Sequence, residues 1–378
     1  MNDTPADTLN KLDQASWDGI QSLLDNYAQI TEKDDVALAY TLDVREPATW
    51  VAMALKSRNI SVTLIPMLPL RDPEFCRRLS TVIPPYRQTS GRCVLMVLER
   101  ETVSHDEIIR HTFMSYDRNQ YLVIRVLNAS HYLFANGMAI KAEEHAARNA
   151  TIFEYCRNAS SLAITTAKGT ELQVGLAPHK FRWLSMSALD YPGKTLVLPT
   201  GEIATFPATV CGRLVADFAL QANFLITADT RLNTSPVTLE IRDSEVTDYF
   251  CSRPDIMRIL DKAFSYTNSR RVGELGFGTN SQVKVPSFEN SLLNERCPGV
   301  HLGFGNHNQA IGDVGYACAT HIDLIAMGGL VRADASKKSL DLSNIAPSPN
   351  WQSLHLGSEH EDIFSPPLMD ADCCGARF

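Results

Sequence analysis

Apolar side chains recur at helical spacing in the first segment of the chain. Trp17, Ile20, Leu23, Leu24 and Tyr27 share one face, so residues 1–35 read as a polar, amphipathic helical lead. The period then switches. Val36–Tyr40 is an apolar run of strand length, Pro47–Lys56 is helical with a proline suited to a first turn, and Val62–Pro66 is a second strand. Strand, helix, strand is a βαβ pattern and predicts a parallel sheet. It repeats more loosely in a strand at Cys93–Leu98, a helix at Asp106–Met114, a strand at Tyr121–Val126 and a long helix over residues 138–157.

Near residue 160 the texture changes. Leu162–Thr166, Ala167–Thr170 and Glu171–Leu176 form a hairpin pattern, and strands dominate afterwards, most clearly Leu196–Leu198, Leu214–Asp217 and Val237–Ile241. One helix interrupts, at Asp255–Tyr266. Beyond about residue 332 the chain is polar and Pro/Ser-rich (Pro347, Pro349, Pro366, Pro367), which reads as a loop-rich wrap. The expected fold class is an α/β N-terminal domain plus a β-rich α+β C-terminal catalytic domain. The domains are placed at residues 1–160 and 161–378, the second carrying the metal site and the loop-rich tail.

Composition narrows the class. Of the 378 residues, 44% are hydrophobic and 21% charged, which is globular usage and excludes wholesale disorder or a collagen-like fold. The net charge is −8 and no basic run stands out, which argues against a nucleic acid or an anionic membrane surface as partner. No apolar run reaches the ~18 residues of a membrane span. The N-terminal MNDTPADTLNKLDQ has no apolar stretch of signal-peptide type. Nine cysteines occur without a CxxC pair, the one close pair being Cys373–Cys374. These features set the expectation of reduced thiols in a cytoplasmic protein.

The candidate chemistry lies in the second half. His321-Ile322-Asp323 within a strand puts imidazole and carboxylate on one face, half of a site for zinc, iron, manganese or cobalt. Gly273–Asn280 sets Glu274 in a glycine-rich, apolar stretch, and Val300–His307 does the same for His301. Leu198–Pro207 carries Glu202 at a turn. A buried, unpaired carboxylate is costly, and a bound cation removes that cost. The glycine spacing is not that of a dinucleotide-binding loop, and no GxSxG elbow or Cys–His motif supports a nucleophile. Glu295 is expected as a solvated surface charge, His307 as a loop histidine beside the site and Asp313 as a loop cap. His105, His111, His131 and His145 are expected to be structural or exposed.

Taken in order, PTGEIATFP, GELGFGTN, VHLGFGNH and HID resemble the thermophilic aminopeptidase T and leucyl aminopeptidase family of metallopeptidases, over roughly residues 160–330. The hairpin LAITTAKGTELQVGL resembles the start of that family's catalytic domain. The resemblance implies Glu202, Glu274, His301, His321 and Asp323 as ligands of two divalent metals (zinc, cobalt or manganese), with Glu202 or Glu274 as the catalytic base toward a bridging water. It also implies a small peptide or amino-acid-derived substrate cleaved at its N-terminal residue, and a homodimer. The family carries a tyrosine seven residues after the histidine matching His301. Here that position is Asn308, which puts peptidase activity in question, with His307 or Tyr316 as substitutes nearby.

The chain also resembles the 2,5-dihydroxypyridine 5,6-dioxygenase family, iron(II) ring-cleaving enzymes on the same scaffold, and VTLEIRDSEVTDY (residues 237–249) is similar in both. In that family a histidine stands where this chain has Glu274, no acid matches Glu202, and the HxD is kept. A Glu, His, Asp set then implies a facial triad for one Fe(II). Retention of Glu202, Glu274 and His301 favours the two-metal hydrolase. The iron oxygenase is the alternative, and a catalytically inactive relative that binds a small molecule is a third class.

Overall fold

The structure is a computed structural model and describes residues 12–84, 91–100, 103–189, 195–224, 226, 228–334 and 336–354. Its first part alternates helix and strand: α1 (Gln14–Ser22), β1 (Asp35–Thr41), α2 (Arg45–Ser57), β2 (Val62–Met67), α3 (Phe75–Val82), β3 (Cys93–Glu99), α4 (Asp106–Phe113), β4 (Tyr121–Leu127) and α5 (Ala142–Cys156). Strands follow: β5 (Ser161–Thr165), β6 (Glu171–Gly175), β7 (Leu184–Met186), β8 (Thr195–Leu198), β9 (Glu202–Thr205), β10 (Thr209–Ala216), β11 (Ala219–Ala222), β12 (Val237–Arg242) and β13 (Glu245–Phe250). After α6 (Pro254–Ala263) come β14 (Val272–Gly278), α7 (Ser291–Asn294), β15 (Gly299–Gly305) and α8 (Ile311–Val314). The last strands are β16 (His321–Met327), β17 (Leu330–Ala333) and β18 (Leu340–Asp341).

The expected parallel sheet forms with strand order β2-β1-β3-β4-β8. A parallel strand covered on both faces is apolar at nearly every position, which is why β3 and β4 read as runs, their charged members Glu99 and Arg125 being buried as an ion pair. Val36, Leu38, Val94 and Met96 pack with Leu23 and Val51 on the side of α1 and α2. Ala37, Ala39, Leu95 and Val97 pack with Phe75, Leu79, Ile109 and Phe113 on the side of α3 and α4. The helical lead appears as α1, capped by Asp13 accepting from the Ser16 N–H at 2.8 Å, and a π-helical turn at Leu23–Tyr27. Residues 1–11 lie outside the described residues. β8 pairs with β4 although it follows residue 160, so the expected boundary is crossed by one strand.

Two antiparallel sheets make up the remainder, with orders β13-β12-β10-β6-β5-β17-β18 and β11-β16-β15-β14-β9-β7. They share a core in which Leu172, Val174, Leu239 and Ile241 of the first meet Leu275, Phe277, Leu302, Phe304 and Leu324 of the second. The fold is therefore α/β in its N-terminal part and β-rich in its C-terminal part. α5 packs against β7 and β9, with Ile152 and Cys156 in the inter-sheet core, and Asn149 donates to the Glu202 carbonyl at 2.6 Å and to Ser185 Oγ at 2.9 Å. The wrap read from the prolines is visible at residues 346–348. Thr151 donates to the Ala346 carbonyl at 2.6 Å, and Ser348 N–H donates to the Ala147 carbonyl at 2.9 Å. Pro366, Pro367, Cys373 and Cys374 lie outside the described residues, whose own cysteines are free thiols. Among the described residues no helix is long and apolar enough to cross a membrane.

Candidate metal centre

Alternation along three strands builds the site. In β14 Leu275 and Phe277 enter the inter-sheet core, and in β15 Leu302 and Phe304 do the same. Glu274, Gly276, Gly278, His301, Gly303 and Gly305 are thereby turned to the other face. In β16 Ile322 and Leu324 go to the core, leaving His321 and Asp323 on that same face. The cross-strand register then sets each functional side chain beside a glycine. Glu202 lies opposite Gly278 and His301 opposite Gly276; Glu274 and Asp323 flank Gly303, and His321 lies opposite Gly305. None of the four glycines has room for a Cβ; on Gly278 and Gly305 it would strike backbone oxygens at 1.9 and 2.2 Å. A Cβ on Gly276 would lie 2.0 Å from His301 Nε2, and one on Gly303 would lie 2.7 Å from His321 Cε1 and 2.9 Å from Asp323 Oδ1.

All five expected residues meet, each 3% exposed or less. His301 Nε2 is 3.0 Å from Glu202 Oε1 and 3.5 Å from Glu274 Oε1, and His321 Nε2 is 3.1 Å from Asp323 Oδ2. Two trios result, Glu202–Glu274–His301 and Glu274–His321–Asp323, each with its donor atoms within 4.8 Å of one another, and Glu274 belongs to both. Three carboxylates buried together need cationic compensation. His321 Nε2, Asp323 Oδ1 and His301 Nδ1 have no hydrogen-bond partner. Mixed imidazole and carboxylate donors with unsatisfied buried atoms fit a divalent transition metal. His321 Nδ1 donates to the Asn306 carbonyl at 2.9 Å, which fixes the ring and leaves Nε2 as the ligand atom. Burial opposes a charge on His321, but Asp323 and Glu274 outweigh it and raise its pKa to about 10. Burial likewise works against the Asp323 carboxylate, and the His321 charge overcomes it, holding Asp323 below the usual carboxylate range. The two form an imidazolium–carboxylate pair, whose positive charge a divalent cation can replace.

Several neighbours were not anticipated. Arg296 is 0% exposed; its guanidinium pairs with Glu202 and lies 3.3 Å from Glu295, and its Nε donates to the Pro199 carbonyl at 3.3 Å. Glu295, expected in solvent, is buried beside it, because the segment after α7 tucks under the sheet next to Gly278. Asn308 Nδ2 donates to Glu274 Oε2 at 3.1 Å, and Gln309 Nε2 donates to Asn308 Oδ1 at 2.7 Å. The residue at the family tyrosine position therefore touches the centre itself. His307 instead donates to the Tyr316 carbonyl at 2.8 Å, and neither of these two belongs to a trio. Gln221 of β11 lies opposite Asp323 with Oε1 unpartnered. His145 is buried on α5 with both ring nitrogens unpartnered, beside Gly201, whose φ of +106° turns the chain into β9.

The family described as NicX: 2,5-dihydroxypyridine 5,6-dioxygenase matches residues 118–310, just over half of the chain. The chain belongs to this family. The matched stretch includes Glu202, Glu274 and His301 and ends before His321 and Asp323. Among solved structures, the 2,5-dihydroxypyridine dioxygenase of Pseudomonas putida KT2440 is similar with TM-score 0.61 and 15% identity, covering 89% of this chain and 99% of that one. AmpT of Thermus thermophilus is similar with TM-score 0.54 and 13% identity, covering 89% and 100%. At these identities the structures establish the fold. No curated protein matches the chain. Both resemblances carried by the motifs are thus present, and the protein is a member of an enzyme family with a buried cluster able to hold divalent metal.

Proposed function

We propose that the protein is a metal-dependent enzyme holding one divalent ion on Glu274, His321 and Asp323, and that it opens a small, electron-rich aromatic ring with dioxygen. The observation carrying this reading is the Arg296 guanidinium seated on Glu202. Glu202 is already charge-compensated, and an ion in the first trio would sit beside a buried cation. At about 4 Å and an effective dielectric near 20, a divalent ion and a guanidinium repel by roughly 8 kcal/mol. Among the described residues no arginine pairs with the second trio, and Arg296 reaches Asp323 only as the weakest of the charges acting on it. Membership in the dioxygenase family supports the same choice.

Bound at that trio, iron(II) would supply the redox chemistry that lets dioxygen react with the ring. The residues around it have separable tasks. Asn308 holds Glu274 in place, and the Asn306 carbonyl fixes His321. His301 donates through Nε2 to Glu202, which fixes the ring and leaves its unpartnered Nδ1 as the atom to accept a proton from a substrate hydroxyl.

One observation favours a second reading, a two-metal hydrolase acting on a small peptide or amino-acid amide. Glu274 belongs to both trios, the position of a bridging carboxylate. There Glu202 or Glu274 would serve as base. Metal content measured together with activity decides. One iron per chain and oxygen uptake with 2,5-dihydroxypyridine are expected. Two ions per chain, hydrolysis of amino-acid p-nitroanilides and no oxygen uptake would overturn the proposal.

A further inference from the structure

At the C-terminal end of α5, against the start of β7 and the end of β9, lies a cavity of about 530 Å³. That is within the size range of small-molecule sites. Its wall carries Arg157, His179, Lys180 and Arg182 and no aspartate or glutamate, in a chain of net charge −8. The rest of the wall includes four aromatic side chains, Phe153, Phe181, Trp183 and Phe206. Phe153 and Trp183 meet edge-on at 6.3 Å between centroids, and Phe181 and Phe206 lie tilted at 4.7 Å. Arg157 sits over the Phe153 ring at 5.7 Å and Lys180 over Phe181 at 4.7 Å.

The C-terminus of α5 contributes about half a negative charge, against the two full positive charges of Arg157 and Lys180. The cavity is therefore electropositive. Rings alone would serve any flat apolar molecule; cations set among them select a flat molecule that bears an anion. Cationic groups bond a carboxylate through charge-assisted hydrogen bonds, and offset or edge-on rings accept an aromatic body. We propose that this cavity is a second ligand site, separate from the metal centre, that binds an aromatic carboxylate.

Arg182 is tied through its backbone to Gln309 at 2.9 Å, and Gln309 through Asn308 to Glu274. The variants are therefore placed at the exposed Arg157 and Lys180, which leave the centre untouched. The full-length protein is titrated with benzoate while tryptophan fluorescence is followed, with Trp183→Phe to show that the signal is local. Saturable quenching is expected, at least tenfold weaker for neutral benzamide. The pair Arg157→Glu/Lys180→Glu should weaken benzoate at least tenfold, and Arg157→Gln/Lys180→Gln should do so in part with an unchanged melting curve. Equal affinity for benzamide, quenching that survives Trp183→Phe, full affinity in the neutralised pair, or no saturation by about 10 mM overturns the proposal.

Discussion

Replacing Gly303 by alanine tests the glycine cradle and locates the ion. The added Cβ would lie 2.7 Å from His321 Cε1, 2.8 Å from Glu274 Cβ and 2.9 Å from Asp323 Oδ1. Glu274 Cβ is bound to a strand backbone and cannot swing away, so β14 and β15 must part by several tenths of an ångström. Overpacking of this kind costs about 1–3 kcal/mol, small enough against a typical stability of about 5–15 kcal/mol for the fold to survive. The same displacement acts on all three members of the second trio. Disturbing groups that merely orient metal ligands already costs about 10–100-fold in affinity, so a loss of at least about 100-fold in iron(II) affinity is expected. Gly276→Ala is the counterpart. Its Cβ would meet the far end of His301 at 2.0 Å, a ring that can rotate, and it disturbs the first trio. Under the one-ion reading Gly276→Ala keeps its metal. Gly312→Ala, with nothing within 4 Å and a place in α8, is the neutral control. Iron(II) or manganese(II) titration against a chelator reads affinity, and a thermal melt reads folding. A folded Gly303→Ala protein with wild-type affinity would refute the cradle. Loss of all metal in Gly276→Ala, with retention in Gly303→Ala, would move the ion to the other trio.

Three further outcomes follow from the same geometry. Arg296→Met leaves Glu202 and Glu295 buried without their guanidinium; it should destabilise by about 3–5 kcal/mol in urea unfolding and raise bound manganese from one to two per chain, and an unchanged count would show that Arg296 is not what excludes the second ion. Asn308→Ala removes a hydrogen bond to the Glu274 carboxylate, so metal affinity measured by chelator competition should fall about tenfold, and an unchanged affinity would count against a positioning role. Burial first, then Arg148 and Arg296, lowers the His145 pKa to about 3. Because the unfolded chain takes up this proton near pH 6.5, stability should fall as pH drops from there toward 3, at about 1.4 kcal/mol per unit, and urea melts of His145→Leu between pH 7 and 5 should show a shallower slope than wild type.

The parallel layer was legible because its signal is local. The centres of β1 and β3 are covered on both faces and so are apolar, and runs such as Cys93–Leu98 announce that without knowledge of their partners. β8 was legible as a strand but not in its place. Its pairing with β4 joins residues separated by α5 and the first strands of the sandwich, and no local pattern encodes that. β7 and β9, three and four residues long, are too short to show a period. The five clustered residues were legible because HxD has the period of a strand, because carboxylates stranded among glycine and phenylalanine need compensation, and because the motif order resembles a metallopeptidase family. The role of the glycines was only half visible. Glycine disfavours strands, so Gly273–Gly278 reads only as a glycine-rich, apolar stretch, whereas here a missing side chain on one strand makes room for an imidazole or carboxylate on the next.

Arg296 escaped for a different reason, and it bears most directly on the chemistry. An Asn-Glu-Arg triplet looks solvated because charged residues usually are. Burial becomes tolerable only where opposite charges meet, and here Glu295 and Glu202 reach the same guanidinium from adjacent and distant parts of the chain. That third partner changes what five familiar donors can hold. With Glu202 free, the centre would offer three carboxylates to two divalent ions. With Glu202 and Glu295 sharing Arg296, the second trio offers two carboxylates, Glu274 and Asp323, whose charge one divalent ion would match. The proposed ring opening requires one metal, whereas hydrolysis by a bridging water requires the second ion that the guanidinium would oppose. Substituting the one arginine therefore separates the two chemistries more cleanly than substituting any of the five donors, each of which both would lose.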